Sequence, residues 1–236
     1  MRLGFVTGLR SEAVIVEAAA REAPEETRPL LFCAGVRSGR TEAGIRRLVA
    51  DGAGALVSFG IAGGLAPGLS PGRLVLASAV QTAGGPSYGV DIAWRGRLLA
   101  RLAGALEPAL GELAGSDVVL RTAEEKSRLH GQTAALAVDM ESHVLARVAQ
   151  ERGLPCLVVR TIADPAGAGV PASALVGIGP MGETRPFAVL KQAALTPWEW
   201  PALLRLGRSH HLALGTLRRL IGLAGVGLAF EEWDAP

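Results

Sequence analysis

The stretch VDMESHVLARVAQERGLPCLVVRTIAD, residues 138–164, decides the fold. It opens at the end of a strand-like run, Ala135–Val138. Asp139 is placed to cap a helix that runs to about Arg152. Leu157–Ile162 then reads as a buried strand, with Arg160 set inside its apolar run and Asp164 just beyond it. A strand, a helix and a second buried strand make one unit of an α/β sheet.

Working outward, the same alternation covers most of the chain. Leu3–Gly8 and Pro29–Cys33 read as strands, and Ser11–Glu22 and Thr41–Ala50 as helices. Ala55–Phe59 and Arg73–Val80 are strands on either side of a Gly/Pro loop. Trp94–Leu110 reads as a helix and Asp117–Leu120 as a strand. Thr122-Ala-Glu-Glu125 is a capping box that starts another helix. The expected architecture is a single-domain, three-layer α/β/α fold over residues 1–236, with a central mixed, mostly parallel sheet. Residues 183–225 are expected to be mainly helical.

Composition narrows the function. The 236 residues are 49% hydrophobic but only 4% aromatic, so the core is aliphatic. The formal net charge is +2, with no basic block, which gives nucleic-acid binding only weak support. Cys33 and Cys156 are too few for a disulfide framework or a zinc site, and a reducing, cytoplasmic setting fits them. His210 and His211 are adjacent and point about 100° apart on a helix, a poor metal pair. No metal or organic cofactor is expected. The N-terminal MRLGFVTG reads as a strand rather than a signal peptide. The uncharged stretches 52–72 and 165–182 are broken by Gly and Pro, unlike a membrane span.

Ligands of α/β sheets bind beyond the carboxyl ends of strands. Four such ends carry small, polar or acidic residues: TGLRSE (7–12), SFGIAGGL (58–65), AVDMES (137–142) and RTIADPA (160–166). Each has an ordinary structural reading. An acid in a first helical turn favours the helix dipole, as Glu12 and Glu141 would, and Asp164 could cap a turn before Pro165.

Taken together and in this order, Glu12, GIAGGLAPGL (60–69), VDME (138–141) and VRTIAD (159–164) resemble the nucleoside phosphorylase and nucleosidase superfamily. The methylthioadenosine/S-adenosylhomocysteine nucleosidase branch is the nearest general pattern. The resemblance implies cleavage of a purine N-glycosidic bond. Asp164 would then be the acid that protonates the base. Glu141 would hold the ribose hydroxyls, with Met140 against the sugar. Glu12 would orient water, and Ile61, Ala62 and Gly63 would border the substrate. The pattern departs at Ile61, where a small hydroxyl residue is common, and at Ala163, where a serine is usual. Phosphorolysis would need an anion site, for which Arg37 and Arg40, and also Arg10, are candidates, so phosphate stays open as a co-substrate beside water.

A narrower resemblance extends over nearly the whole chain. AEEKSRLH (123–130), DPAGAGVPASAL (164–175) and the tail RPFAVLKQAALTPWEWPALLRLGRSHHLALGTLRRL (185–220) are similar to the hopanoid-associated phosphorylases. That subgroup implies an adenosyl lipid, adenosylhopane, as substrate. The products would be adenine and ribosylhopane, or its 1-phosphate. Methylthioadenosine or S-adenosylhomocysteine is the alternative. The uncharged segment 165–182 could border an apolar 5′ substituent. Trp198 and Trp200 near Arg205 and Arg208 can mark peripheral membrane contact. A homo-oligomer is expected from the superfamily's habit.

Overall fold

A computed structural model describes residues 1–35, 38–179, 181–183 and 185–230. Its strands are β1 (Arg2–Thr7), β2 (Leu30–Cys33), β3 (Ala53–Gly64), β4 (Leu74–Thr82), β5 (Ser87–Gly89), β6 (Ala109–Gly115), β7 (Ala137–Asp139) and β8 (Cys156–Asp164). Its helices are α1 (Arg10–Ala20), α2 (Ser38–Ala50), α3 (Ile92–Leu102), α4 (Ala123–Thr133), α5 (Ser142–Arg152), α6 (Ala172–Leu175), α7 (Pro186–Leu195) and α8 (Trp200–Ala224), with a 3-10 turn at Pro197–Glu199.

All eight strands join one mixed sheet, in the order β2-β1-β3-β7-β6-β4-β5, and β8 pairs with both β3 and β4. The second pairing of β8 closes β3, β7, β6, β4 and β8 into a ring. Parallel pairing joins β1 to β2 and β3, β3 to β8, and β6 to β4 and β7. Antiparallel pairing joins β3 to β7 and β4 to β5 and β8.

The period-two alternation of the strands splits the core between two faces. Ala55, Val57, Phe59, Leu157 and Val159 pack with Ile15, Val16, Trp94, Leu98, Leu214 and Leu217, under α1, α3 and α8. Leu56, Val75, Cys156 and Val158 pack with Ile45, Leu48, Val144, Leu145 and Val148, under α2 and α5. These are the expected three layers, here wrapped on a sheet that closes on itself.

Three local expectations are corrected. The helix read over 94–110 ends at Leu102, because Gly104 takes φ 77° and Pro108 follows; residues 109–115 then form β6. Residues 117–120, read as a strand, are loop instead. Residues 60–64, read as loop, continue β3 past a register shift at Ala62/Gly63, and Gly63 pairs with both Asp164 of β8 and Val138 of β7. A side chain at either glycine there would be tight against Asp164. A Cβ on Gly63 would lie 3.3 Å from Asp164 Oδ2, and one on Gly64 3.3 Å from the Asp164 carbonyl oxygen.

Candidate active site

The ends of β1, β3, β7 and β8 meet at a cavity of about 430 Å³. It is lined by Glu12, Ile61, Ala62, Gly63, Met140, Glu141 and Asp164, every catalytic and substrate-contact candidate read from the sequence. The anion-site candidates are not brought together. Arg37 lies outside the described residues. Arg40 is exposed on α2 and takes no part in the lining. Arg10 pairs with Glu17 at 2.5 Å on the surface of α1. Among the described residues no arginine lines the cavity.

Glu12 stands in the first turn of α1 and is 1% exposed. Its Oε2 accepts from the backbone N–H groups of Gly8 (2.9 Å) and Leu9 (2.8 Å), and its Oε1 from that of Ile61 (2.8 Å). The carboxylate therefore fills N–H groups that the start of α1 and strand β3 would offer to an anion. Burial raises its pKa against the opposing effect of Arg160 and these hydrogen bonds. Gly60 leaves room for the arrangement, since a Cβ there would sit 2.7 Å from the Glu12 carboxyl carbon and 2.5 Å from an Arg160 nitrogen.

Arg160 explains the polar interruption of the VVRTI strand. Fully buried, its guanidinium bonds the Asp139 carboxylate through Nε. One terminal nitrogen reaches Ser58 Oγ at 2.6 Å, Ser142 Oγ at 3.2 Å and Glu141 Oε2 at 3.3 Å. Asp139 Oδ1 accepts from the N–H groups of Ser142 (3.0 Å) and Glu141 (3.3 Å). The expected cap at Asp139 thus serves the start of α5 from three residues before Ser142, while its other oxygen anchors Arg160. Glu141 lies across from Gly8, where a Cβ would come within 2.9 Å of Oε1. Burial, with the neighbouring charges of Asp139 and Glu12, pushes Glu141 up to about 8 against the pull of Arg160.

Asp164 ends β8 and pairs with Lys126, which is 1% exposed in α4. Lys126 also donates to the carbonyls of Ala168 (2.8 Å) and Pro165 (3.1 Å), so it ties the loop after β8 to the acid. Burial raises the Asp164 pKa, and the Lys126 charge works against that rise. Sequence reasoning missed Lys126. A signal was present: lysine occurs only at 126 and 191 in a chain that otherwise uses arginine as its cation. His143 does not line the cavity; its Nε2 lies 3.5 Å from Asp117 Oδ1. His210 of α8 does line it.

Ser11 and Glu183 also line the cavity, and most of the remaining wall is apolar. It is built from Val118, Val119 and Leu120 after β6, Val170, Leu175 and Ile178 after β8, Val189 of α7, and Leu203 and Leu206 of α8. The uncharged segment after Asp164 therefore borders the cavity, as its composition suggested.

The pKa directions fix a sign for stability. A buried carboxyl that holds its proton more tightly folded than unfolded favours the fold below its unfolded pKa. Its contribution is fully present below 4.5 for Glu141 and is lost as pH rises through about 8. Glu12 and Asp164 shift in the same direction. The unliganded protein is expected to lose stability as pH rises across that window, and Glu141→Gln to flatten the decline. Urea midpoints measured at both ends of the window test this; an unchanged slope in the variant would remove Glu141 as its source.

Comparisons with known proteins bear on this geometry. Residues 25–194 match the family model described as the phosphorylase superfamily. The fold is similar to that of Helicobacter pylori 5′-methylthioadenosine/S-adenosylhomocysteine nucleosidase, at TM-score 0.69 and 16% identity over 94% of this chain and 98% of that one. It is similar to futalosine hydrolase of Helicobacter pylori, at TM-score 0.69 and 16% identity over 94% and 97%. The Neisseria meningitidis 5′-methylthioadenosine/S-adenosylhomocysteine nucleosidase with methylthio-immucillin-A matches at TM-score 0.71 and 12% identity over 93% and 96%. None of the curated proteins compared matches the chain.

Proposed function

Because the chain belongs to the phosphorylase superfamily, we propose that it breaks the N-glycosidic bond of an adenine nucleoside carrying an apolar 5′ substituent, with water as the nucleophile. The observation that carries the choice of water is Glu12. Its carboxylate occupies the N–H groups at the start of α1 and at Ile61 that would otherwise receive phosphate. A second anion there would face a buried like charge and no lining arginine among the described residues.

In this reading the base leaves as Asp164 gives a proton to the purine ring. Burial raises the pKa of Asp164 against the pull of Lys126, which favours retention of that proton. The carboxylate formed is then held by Lys126, which already contacts it. The ribose develops oxocarbenium character as the C1′–N bond lengthens. Glu141 holds the ribose hydroxyls, the growing positive charge of the sugar favours its carboxylate form, and Met140 packs on the sugar. Glu12 takes a proton from the water that adds to C1′, so the products are the free base and the free sugar. Ile61, Ala62 and Gly63 border the base and sugar. No metal or organic cofactor takes part in these steps.

The substrate we place first is an adenosyl lipid, adenosylhopane, which would yield adenine and ribosylhopane. The apolar wall from Val118 to Leu206 supports it. Val118 and Val119 line the cavity while remaining exposed, so the wall runs out to the surface and leaves a path for a bulky tail. A second reading is methylthioadenosine or S-adenosylhomocysteine, favoured by the solved nucleosidases that share the fold along their whole length.

Adenine release from adenosylhopane in detergent, and separately from methylthioadenosine, each with and without phosphate, tests these points. The expected result is release from the lipid that phosphate does not accelerate. Release from methylthioadenosine alone would give the second reading. Strict dependence on phosphate would overturn the role given to Glu12.

A further inference from the structure

The helices that wall the cavity carry a second, outward surface. On α7, Val189 faces the cavity, while Phe187, Leu190 and Leu195 are exposed, Phe187 to 84%. On α8, Leu203, Leu206 and His210 face the cavity, while Trp200, Leu204 and Leu212 are exposed. Trp198, on the turn between the helices, is 73% exposed. The Trp200 indole N–H donates to the Ala193 carbonyl at 2.8 Å, which holds the start of α8 against α7. Scattered exposed apolar side chains are ordinary on a folded protein. A run of six large ones over Phe187–Leu204, including two tryptophans, is not.

The same segment holds the positive charge of the chain. Residues 185–230 contain six basic residues, Arg185, Lys191, Arg205, Arg208, Arg218 and Arg219, against one acid, Glu199. The whole chain carries only +2. The Glu199 carboxylate is turned inward, where it accepts from the Ser173 backbone N–H at 3.0 Å and from the Ser173 hydroxyl. Arg185 is paired with Glu183 at 2.7 Å, while Lys191, Arg205 and Arg208 are exposed on the same helices as the apolar residues.

We propose that α7, the 197–199 turn and the first half of α8 dock on an anionic lipid bilayer, with the cavity mouth opening beside the docked face. The inference stands apart from the identity of the substrate. Exposed tryptophan and phenylalanine seat at the level of lipid headgroups, and arginine and lysine beside them meet anionic phosphates. A second copy of this chain fits less well, because a two-fold contact through this face would bring the same cations together. Among the described residues no helix is long and apolar enough to cross a membrane, so the contact is one of surface docking.

Co-sedimentation with extruded vesicles tests it, using phosphatidylcholine alone and phosphatidylcholine mixed with phosphatidylglycerol. The full chain is expected to bind the mixed vesicles and to release as salt rises. Arg205→Gln and Arg208→Gln are each expected to weaken binding about fivefold. Phe187→Glu and Trp198→Glu should abolish binding while leaving turnover of a soluble adenine nucleoside unchanged, since neither side chain lines the cavity. Equal binding to both vesicle types, or to neither, overturns the proposal. So does a homodimer that those two variants dissociate in the absence of lipid, which would assign the face to a second copy.

Discussion

Asp164→Asn is expected to lower turnover of the adenine nucleoside by at least ~100-fold, the low end for loss of a general acid. The amide keeps the size of the side chain and can still meet a ring nitrogen, but it has no proton to give. Burial holds the Asp164 pKa up while Lys126 stands ready for the carboxylate that remains after transfer. The substitution thus removes the proton and denies Lys126 the carboxylate that transfer would leave beside it. Single-turnover measurement of adenine release, with thermal unfolding as a control for the fold, separates chemistry from stability. Turnover within about tenfold of the parent would mean that the base leaves without this acid.

Arg160→Leu is expected to cost about 3–5 kcal/mol of folding stability, the usual loss when one partner of a buried ion pair is removed. That is a large share of the roughly 5–15 kcal/mol that holds a domain folded. The guanidinium is fully buried among Asp139, Glu141 and Ser58, and it lowers the pKa of both Glu12 and Glu141. Without it Asp139 keeps its bonds to the start of α5 but loses its counter-charge. Denaturant unfolding measures the cost. A variant within about 1 kcal/mol of the parent would show that the site tolerates its buried acids without this cation.

The sequence reading succeeded where local chemistry and tertiary structure agree. The buried strand ending at Asp164, the helix ending at Arg152 and the capping box at Thr122–Glu125 are all present, because each rests on residues near one another in the chain. Glu12, Glu141 and Asp164 share one cavity because each stands beside the carboxyl end of a strand. Other features were not legible. The extension of β3 through Gly64 depends on a partner, β7, more than 70 residues away, and five glycine-rich residues carry no pattern that announces it. β6 was hidden because ALGELAG follows a helix without a strong break until Gly104 and Pro108 are weighed. Lys126 was missed because a lysine among charged neighbours on a helix reads as a solvated face. Only the packing of α4 against the loop after β8 turns it inward.

The closed ring of strands has a consequence for how the molecule assembles. Leu56 pairs with Cys156 and Gly60 with Arg160, so closure joins segments a hundred positions apart. Bringing such distant segments together costs loop entropy before the pairing repays it, which slows the search for the native arrangement. The carboxylates of the cavity sit at the seam: Glu12 reaches β3 through Ile61, and Asp164 ends β8 beside Gly63. The cavity is whole only once the last long-range pairing is made, so its chemistry is a report that the chain has finished folding.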